Sequence, residues 1–521
     1  MAADDLAFAS LLSRPRIRDH SGCGDILCNA YQTDETIYTT KHVEDGCECN
    51  FVGVSTSILI DALSKDKVPK IVITEYLELK VVSGHDYPYI AVSHVWADGL
   101  GNPFTNALPM CQLRRLRYFA NKLYLMLNPA STPTGSPVGL WMDTLCIPVN
   151  ANAKAYRKKA IQLLGKTFNE ANAVLILDRE LEVVESATSS FLELGLHILC
   201  SGWIKRLWTL QEASLASEAH GASKIYLQMR DEAFLYQKYD RDRRAAWRID
   251  DQTTEIQAEE RGLLNDYGVM LELGAQVPSI HAMRDMREGW SPFRVIYNAL
   301  EHRSTSKAED IPVCVAFLMG KNVSTILSAT GMEQRMAEFY MVMREVPHGV
   351  IWCERPQKLS IKPFRWAPLS ITACPQSAFM GQEAGICDSA GLHVRYRGFI
   401  FHESYEWNEG GTFPRAFNII SAETGEVLGQ LSRPRQRAPW EIPLQQNLAV
   451  IMRQDAHPGI LPTAAFVVVE ATAGEDHEAL TTEYVCRLVG YMYFQSFNQV
   501  QADGTSFRGH VTAADQMWCI T

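Results

Sequence analysis

The sequence predicts an α/β chain, with an open parallel-sheet module followed by a helical stretch and a β-rich C-terminal domain. Three observations carry this. Between residues 89 and 216, short apolar runs alternate with stretches of helical period. The run Ala173–Leu177 is apolar at every position, as a strand covered on both faces must be. From about residue 349 the pattern shortens to β-like runs separated by glycine-bearing turns. At 521 residues the chain exceeds one ordinary core, so several packed units are expected.

The elements follow in order. Residues 1–85 hold a short helix at Ser55–Leu63 and a strand at Lys70–Glu75, and are expected to form a leader packed on the module. The module, residues 86–230, opens with a strand at Tyr89–Val95. A helix follows with apolar residues at Leu113, Leu116, Phe119, Leu123 and Met126, ended by the loop Asn128–Pro137. A second strand, Val138–Leu145, leads into a helix whose inner face is Ile161, Leu164, Phe168 and Ala171, and then into the strand Ala173–Leu177. Residues 231–348 read as a helical extension, beginning on the charged and therefore solvated stretch Lys238–Arg244. Residues 349–521 form the β-rich domain, with strands in Gly349–Cys353, Leu392–Gly398, Ala465–Glu470 and Tyr484–Tyr491 and turns at Asn408–Gly411 and Glu423–Glu426.

Composition narrows the function. With 49 basic and 60 acidic residues the net charge is -11, and no Lys/Arg block offers a stripe for a phosphate backbone, so nucleic acid is not expected as a partner. No apolar run reaches the roughly 18 to 20 residues of a membrane span, and the N-terminus lacks the basic-then-apolar order of a secretion signal. Thirteen cysteines, mostly single within apolar stretches, as Cys146, Cys200, Cys314 and Cys486 are, fit free thiols in a reducing compartment. A cytoplasmic protein is expected.

Candidate chemistry sits at the strand ends. The loop Trp96–Pro103 follows the first strand, where open α/β sheets bind ligands. Gly99 and Gly101 either let backbone N–H groups approach a phosphate or simply shape a turn, and the third glycine of the dinucleotide fingerprint is missing. Asp143 interrupts an apolar strand, so it either orients neighbouring loops or faces a cleft. Cys146 beside it reads as a packed thiol. In Trp203–Ala213, read as one amphipathic helix, Trp208 and Glu212 are four apart and share a face, with Arg206 and Gln211 close by. Such a carboxylate can hold a sugar while the indole packs on a ring; the plainer alternative is an exposed, ion-paired glutamate. Outside the module, Cys23, Cys28, His42, Cys47 and Cys49 could hold zinc, but their spacings are not those of paired knuckles. The plainer reading packs these thiols between leader and module, and no metal ligand is assigned. His402, His457 and His477 lie in polar loops and read as solvated.

In conjunction, Tyr-x-Ala-x-Ser-x-x-Trp, Trp-x-Asp-x-x-Cys-Ile and Trp-x-x-Arg-x-Trp-Thr-Leu-Gln-Glu, in that order, resemble the heterokaryon-incompatibility (HET) domain of fungi. Tyr89, Ser93, Trp96, Trp141, Asp143, Cys146, Trp203, Arg206, Trp208, Gln211 and Glu212 carry the resemblance, over about a quarter of the chain. The family often has Tyr where His94 stands and Gly where Ala97 stands, and usually continues Cys-Ile with Asn-Gln, where this chain has Pro148-Val149.

HET domains are similar to Toll/interleukin-receptor (TIR) domains. The resemblance therefore implies a TIR/flavodoxin-like sheet and a role in non-self recognition or programmed cell death. In enzymatic TIR relatives a Trp followed four residues later by Glu places the catalytic carboxylate that hydrolyses NAD. By that analogy Glu212 is the catalytic residue, NAD the substrate, and Ser93, His94, Trp96, Gly99, Gly101, Asp143, Arg206, Trp208 and Gln211 the ligand contacts. The rival implication is a non-catalytic module that signals by self-association or by binding a protein partner. The three segments are expected to bring Ser93, Asp143 and Glu212 together on one edge of the sheet; on the enzymatic account Glu212 lines a cleft with Ser93 and the 97–102 loop, and on the rival account it lies outside any pocket.

Overall fold

The computed structural model describes residues 33–34, 36–129, 137–216, 224–239, 292–300, 303–305, 307–354, 357–379, 383–402, 414–433, 447–453, 464–473, 483–496 and 505–521. Cys23, Cys28, His457, His477, the turn at 408–411 and most of the charged stretch 238–244 lie outside the described residues. The chain divides into two compact units, one of residues 1–287 with 298–327, the other of 288–297 with 328–521. The stretch read from sequence as a helical extension, 231–348, is thus shared between them.

In the first unit β1 (Phe51–Gly53) precedes α1 (Thr56–Ser64), β2 (Lys70–Ile73), β3 (Leu79–Val82) and β4 (Tyr89–His94). Then come β5 (Ala107–Pro109), α2 (Met110–Leu127), β6 (Gly139–Trp141), α3 (Asp143–Cys146), α4 (Lys154–Gln162) and α5 (Leu164–Glu170). Further along the chain are β7 (Ala173–Leu177), α6 (Phe191–Cys200), α7 (Leu207–Leu215), β8 (Ile225–Gln228), β9 (Ala233–Leu235) and α8 (Ile311–Leu318). Among the described residues seven strands form one sheet in the order β3-β2-β6-β4-β7-β8-β9. The four central strands are parallel, and the marginal pairings, β2 with β6, β3 with β2 and β9 with β8, are antiparallel. By sequence the parallel strands lie second, first, third, fourth. The chain therefore leaves β4 toward one side of the sheet and returns on the other, which opens a crevice at the carboxyl ends of the strands.

The burial explains the sequence pattern. Every residue of β4, β7 and β8 is buried, so these strands need no polar face. Leu113, Leu116, Ala120 and Leu123 of α2 join their core, whereas Met126 is exposed. Lys70 in β2 is buried because its Nζ donates to three carbonyls, of Gly84, His85 and Tyr87, at 2.8 to 3.2 Å.

Several expected elements differ from the structure. β2 and β3 belong to the sheet, not to a separate leader. The second strand stops at Trp141, and Asp143 opens α3, where its Oδ1 accepts the Thr144 N–H at 2.6 Å. The helix expected to run through Ile161 and Ala171 is broken at Leu163, two residues before Gly165, into α4 and α5. The helix expected from Trp203 begins only at Leu207. There the Leu207 N–H donates to the Ser304 carbonyl (3.0 Å) and the Ser304 N–H to that of Lys205 (2.8 Å), so a bridge to residue 304 holds Arg206 extended just before the helix.

The second unit is β-rich. Its strands are β10 (Glu345–Pro347), β11 (Ala384–Cys387), β12 (Leu392–Arg395), β13 (Arg397–Phe401), β14 (Ala416–Ser421) and β15 (Val427–Ser432). β16 (Asn447–Met452), β17 (Ala464–Ala473), β18 (Glu483–Ser496), β19 (Ser506–Val511) and β20 (Met517–Ile520) follow. Among the described residues they form one eleven-stranded sheet, and the extra pairing of β17 with β18 closes β18-β15-β14-β19-β13-β16-β17 into a ring. Phe399, Phe401, Phe417, Phe466, Met492 and Phe507 fill it. The run Gly349–Cys353, expected as a strand, is largely a 3-10 turn over His348–Trp352. A wholly apolar run has no periodicity to tell the two apart.

Candidate functional site

The crevice at the carboxyl ends of β4 and β6 holds a cavity of about 230 Å³, entirely within the first unit. β4 ends in Ser93 and His94, and α7 brings Glu212 against it, so that the Ser93 hydroxyl donates to Glu212 Oε2. The buried Trp203 indole N–H donates to the same hydroxyl oxygen at 2.7 Å. This chain fixes the Ser93 rotor and one oxygen of Glu212. Burial pushes the Glu212 carboxyl up to about 8; the Ser93 hydrogen bond opposes this, nearby Asp143 adds to it, and Arg206 opposes it.

Asp143 forms the second anchor. Its Oδ1 accepts from His94 Nε2 (2.7 Å) and its Oδ2 from the Trp96 indole N–H (2.8 Å). Burial works against its charge, but the His94 ring, the Trp96 indole and the Thr144 N–H outweigh that and hold the carboxyl well below the usual range. With Nε2 committed to Asp143, His94 Nδ1 is left buried and without a partner among the described residues.

The cavity joins unlike surfaces. Glu212 and Asp143 contribute carboxyl groups, Arg157, Arg206 and Lys307 are basic, and Trp96, Trp141 and Trp208 supply aromatic wall. The Trp208 indole N–H donates to Asp310 at 2.8 Å, which ties the α7 face to the segment just before α8. Half-buried Arg303 reinforces this by donating to the carbonyl of Arg206 (2.8 Å) and to Thr209 Oγ1 (3.2 Å). Comparison of the chain with family models, with curated proteins and with solved structures returns no match. The chemistry of the cavity therefore rests on its own residues.

Of the residues singled out in the sequence, His94, Trp96, Asp143, Arg206, Trp208 and Glu212 line the cavity. Ser93 stands behind Glu212 with its proton already donated, so it positions the carboxyl and does not line the cavity. Gln211 is buried away from the lining, and neither amide atom has a partner among the described residues.

Gly99 and Gly101 also lie outside the lining, and both serve packing. The Gly99 N–H donates to the Trp96 carbonyl (2.8 Å) and that of Gly101 to the Tyr38 hydroxyl (2.9 Å). Gly99 has φ +101°, and a Cβ on Gly101 would sit 2.4 Å from the Trp96 ring. The glycines thus let the loop fold under Trp96, and their N–H groups are already taken. Cys146 is fully buried, with its thiol pushed up to about 12 by that burial.

Sequence reasoning passed over Arg157, Lys307 and Asp310, which come from elements distant in the chain. It also passed over Asp178, buried at the end of β7, which accepts the Trp203 N–H at 2.8 Å and is raised to about 7 by burial and by Asp98. An acidic residue directly after an apolar parallel strand was the signal for Asp178.

Proposed function

We propose that the first unit is a HET-type, TIR/flavodoxin-like module of a cytoplasmic fungal protein acting in non-self recognition or cell death, and that it hydrolyses NAD at the nicotinamide–ribose bond. The observation carrying the enzymatic half is Glu212: a carboxyl raised by burial, held by Ser93, and lining a cavity with Trp208 one turn away on the same helix. Order of the parallel strands and position of the cavity at their carboxyl ends support the fold half.

A carboxyl held by burial near neutrality favours a ligand that brings a positive charge, because the cation and the ionised carboxylate stabilise each other. The nicotinamide ring of NAD carries such a charge next to the bond to be broken. In the proposed reaction the C1′–N bond breaks, its electron pair leaves with neutral nicotinamide, and water adds to C1′ and releases one proton. ADP-ribose is the second product. The Glu212 carboxylate stabilises the oxocarbenium-like transition state, and the tryptophans flank the ring. At about 230 Å³ the cavity is below the ~300 to 1,000 Å³ typical of drug-sized sites, so it takes the nicotinamide ring and its ribose, and the remainder of NAD extends outward past the basic side chains.

The test is nicotinamide release from NAD by the full chain at high concentration, with Glu212→Ala as control. Release by the wild type and none by a folded Glu212→Ala chain is expected, with kcat/KM rising through about pH 8 as the free carboxyl ionises. Equal inertness of both proteins sinks the enzymatic reading and leaves that of a module acting by assembly. A kcat/KM that falls through the same range would show the protonated group at work, against a role for the ionised carboxylate.

A further inference from the structure

The segment before β1 gathers a set of side chains that the NAD reading does not use. His42, Cys47, Cys49 and Cys111 place their ligating atoms all within 4.8 Å of one another. Two of the separations are 3.4 Å, from Cys49 Sγ to His42 Nδ1, and 3.5 Å, from Cys111 Sγ to the same nitrogen. Around a tetrahedral zinc ion with Zn–S near 2.3 Å and Zn–N near 2.0 Å, the ligand atoms of a Cys₃His set lie roughly 3.5 to 3.8 Å apart, so these two sulfur–nitrogen separations are already near ligation distance and the widest, within 4.8 Å, closes by at most about 1 Å.

The register of a two-stranded pairing builds the site. β1 pairs antiparallel with β5, Phe51 opposite Pro109, and the Met110 N–H donates to the Asn50 carbonyl at 2.9 Å. Two residues beyond Phe51 and Pro109, the same register sets Cys49 opposite Cys111 at the start of α2. Two backbone N–H groups already point at sulfur, that of Cys111 at Cys49 Sγ (3.3 Å) and that of Val43 at Cys111 Sγ (3.4 Å). Such donors stabilise thiolates in metal sites. Gly46, with φ +83°, makes the turn that returns Cys47 toward His42.

We infer that His42, Cys47, Cys49 and Cys111 form a structural zinc site of Cys₃His type. Four protein ligands leave no open position, so the metal's role is to fix the 36–50 segment. That segment is joined to the loop beneath Trp96. The Tyr38 hydroxyl donates to the Trp96 carbonyl (2.6 Å), Thr40 Oγ1 to that of Gly101 (2.6 Å), and the Lys41 N–H to that of Gly99 (2.9 Å). Metal ligation thereby braces one wall of the cavity from outside it.

The full chain, purified reduced and without chelator, is expected to carry about one zinc per molecule. Its cobalt-substituted form should show the absorption of a tetrahedral thiolate site. Cys49→Ser and Cys111→Ser should each lower metal content at least about fivefold, and the conservative Cys47→His should retain most of it. Cys200→Ser, and the double variant Cys23→Ser with Cys28→Ser, should retain it fully. The proposal is overturned if the wild type carries no metal and shows no thiolate–cobalt spectrum, or if metal persists in Cys49→Ser and Cys111→Ser. Loss from the Cys23/Cys28 variant, or a Cys49–Cys111 disulfide in the freshly isolated chain, overturns it equally. Metal content and spectrum are read without NAD, so failure of the zinc site is distinct from failure of the enzymatic reading.

Discussion

Replacing Glu212 by Gln should make the first unit more stable, and increasingly so as pH rises. The carboxyl, ordinarily near 4.5, is held in the folded chain up to about 8 by burial. Below the lower value both folded and unfolded chains carry the proton. Between the two values only the folded chain does, so unfolding releases a proton and stability falls as pH rises through about 8. At ~1.4 kcal/mol per pH unit the interval from 4.5 to about 8 corresponds to roughly 5 kcal/mol, an upper bound. Glu212 is half-buried, and solvent in the cavity screens part of the effect, leaving about 3 kcal/mol. Gln keeps the shape and an oxygen for the Ser93 hydroxyl but never ionises. The variant and wild type should therefore match near pH 4.5 and diverge by about 3 kcal/mol at pH 9. Asp178 contributes a slope of the same sign, but equally to both proteins. Urea unfolding read by hydrogen exchange in the 89–94 and 173–177 peptides reports this unit apart from the other. A stability difference that stays flat from pH 5 to 9, or shrinks, refutes the burial argument.

Two further substitutions probe the surroundings. Asp143→Ala leaves His94, Trp96 and the Thr144 N–H without their acceptor and should cost about 2 to 4 kcal/mol in urea unfolding at neutral pH. Because the Asp143 carboxyl is held below its ordinary value of 3.8, the ionic part of this cost should begin to shrink only as pH falls below that value, and should be lost as pH reaches the depressed folded one; a pH-independent cost would contradict the ionic account. Gly101→Ala drives a methyl into the Trp96 ring and should destabilise by about 1 to 3 kcal/mol, seen as a lower Tm; an unchanged Tm would show that the loop has room.

The sequence by itself determined the apolar parallel strands at 89–94 and 173–177, the helix after the first strand, and the change to β structure in the C-terminal part. Each rests on hydrophobic periodicity or on uninterrupted burial, which are local properties. Trp208 and Glu212 could be placed on one face from their spacing alone.

Tertiary structure decided the rest. Asp143 left its strand because its carboxylate found the Thr144 N–H and two side-chain donors 47 and 49 positions away. The segment 203–206 left the helix because the Trp203 N–H went to Asp178, the Ile204 N–H to the Ser201 hydroxyl, and Arg206 to a bridge with residue 304. Gly99 and Gly101, which in sequence suit a phosphate as well as a turn, proved to lie beneath Trp96, against Lys41 and Tyr38. Cys47 and Cys49 gained Cys111 as a neighbour, 62 residues beyond Cys49, through the register of one strand pair. A side chain's local spacing fixes which face it occupies, whereas its partners are set by which distant strand end or helix the fold lays against that face.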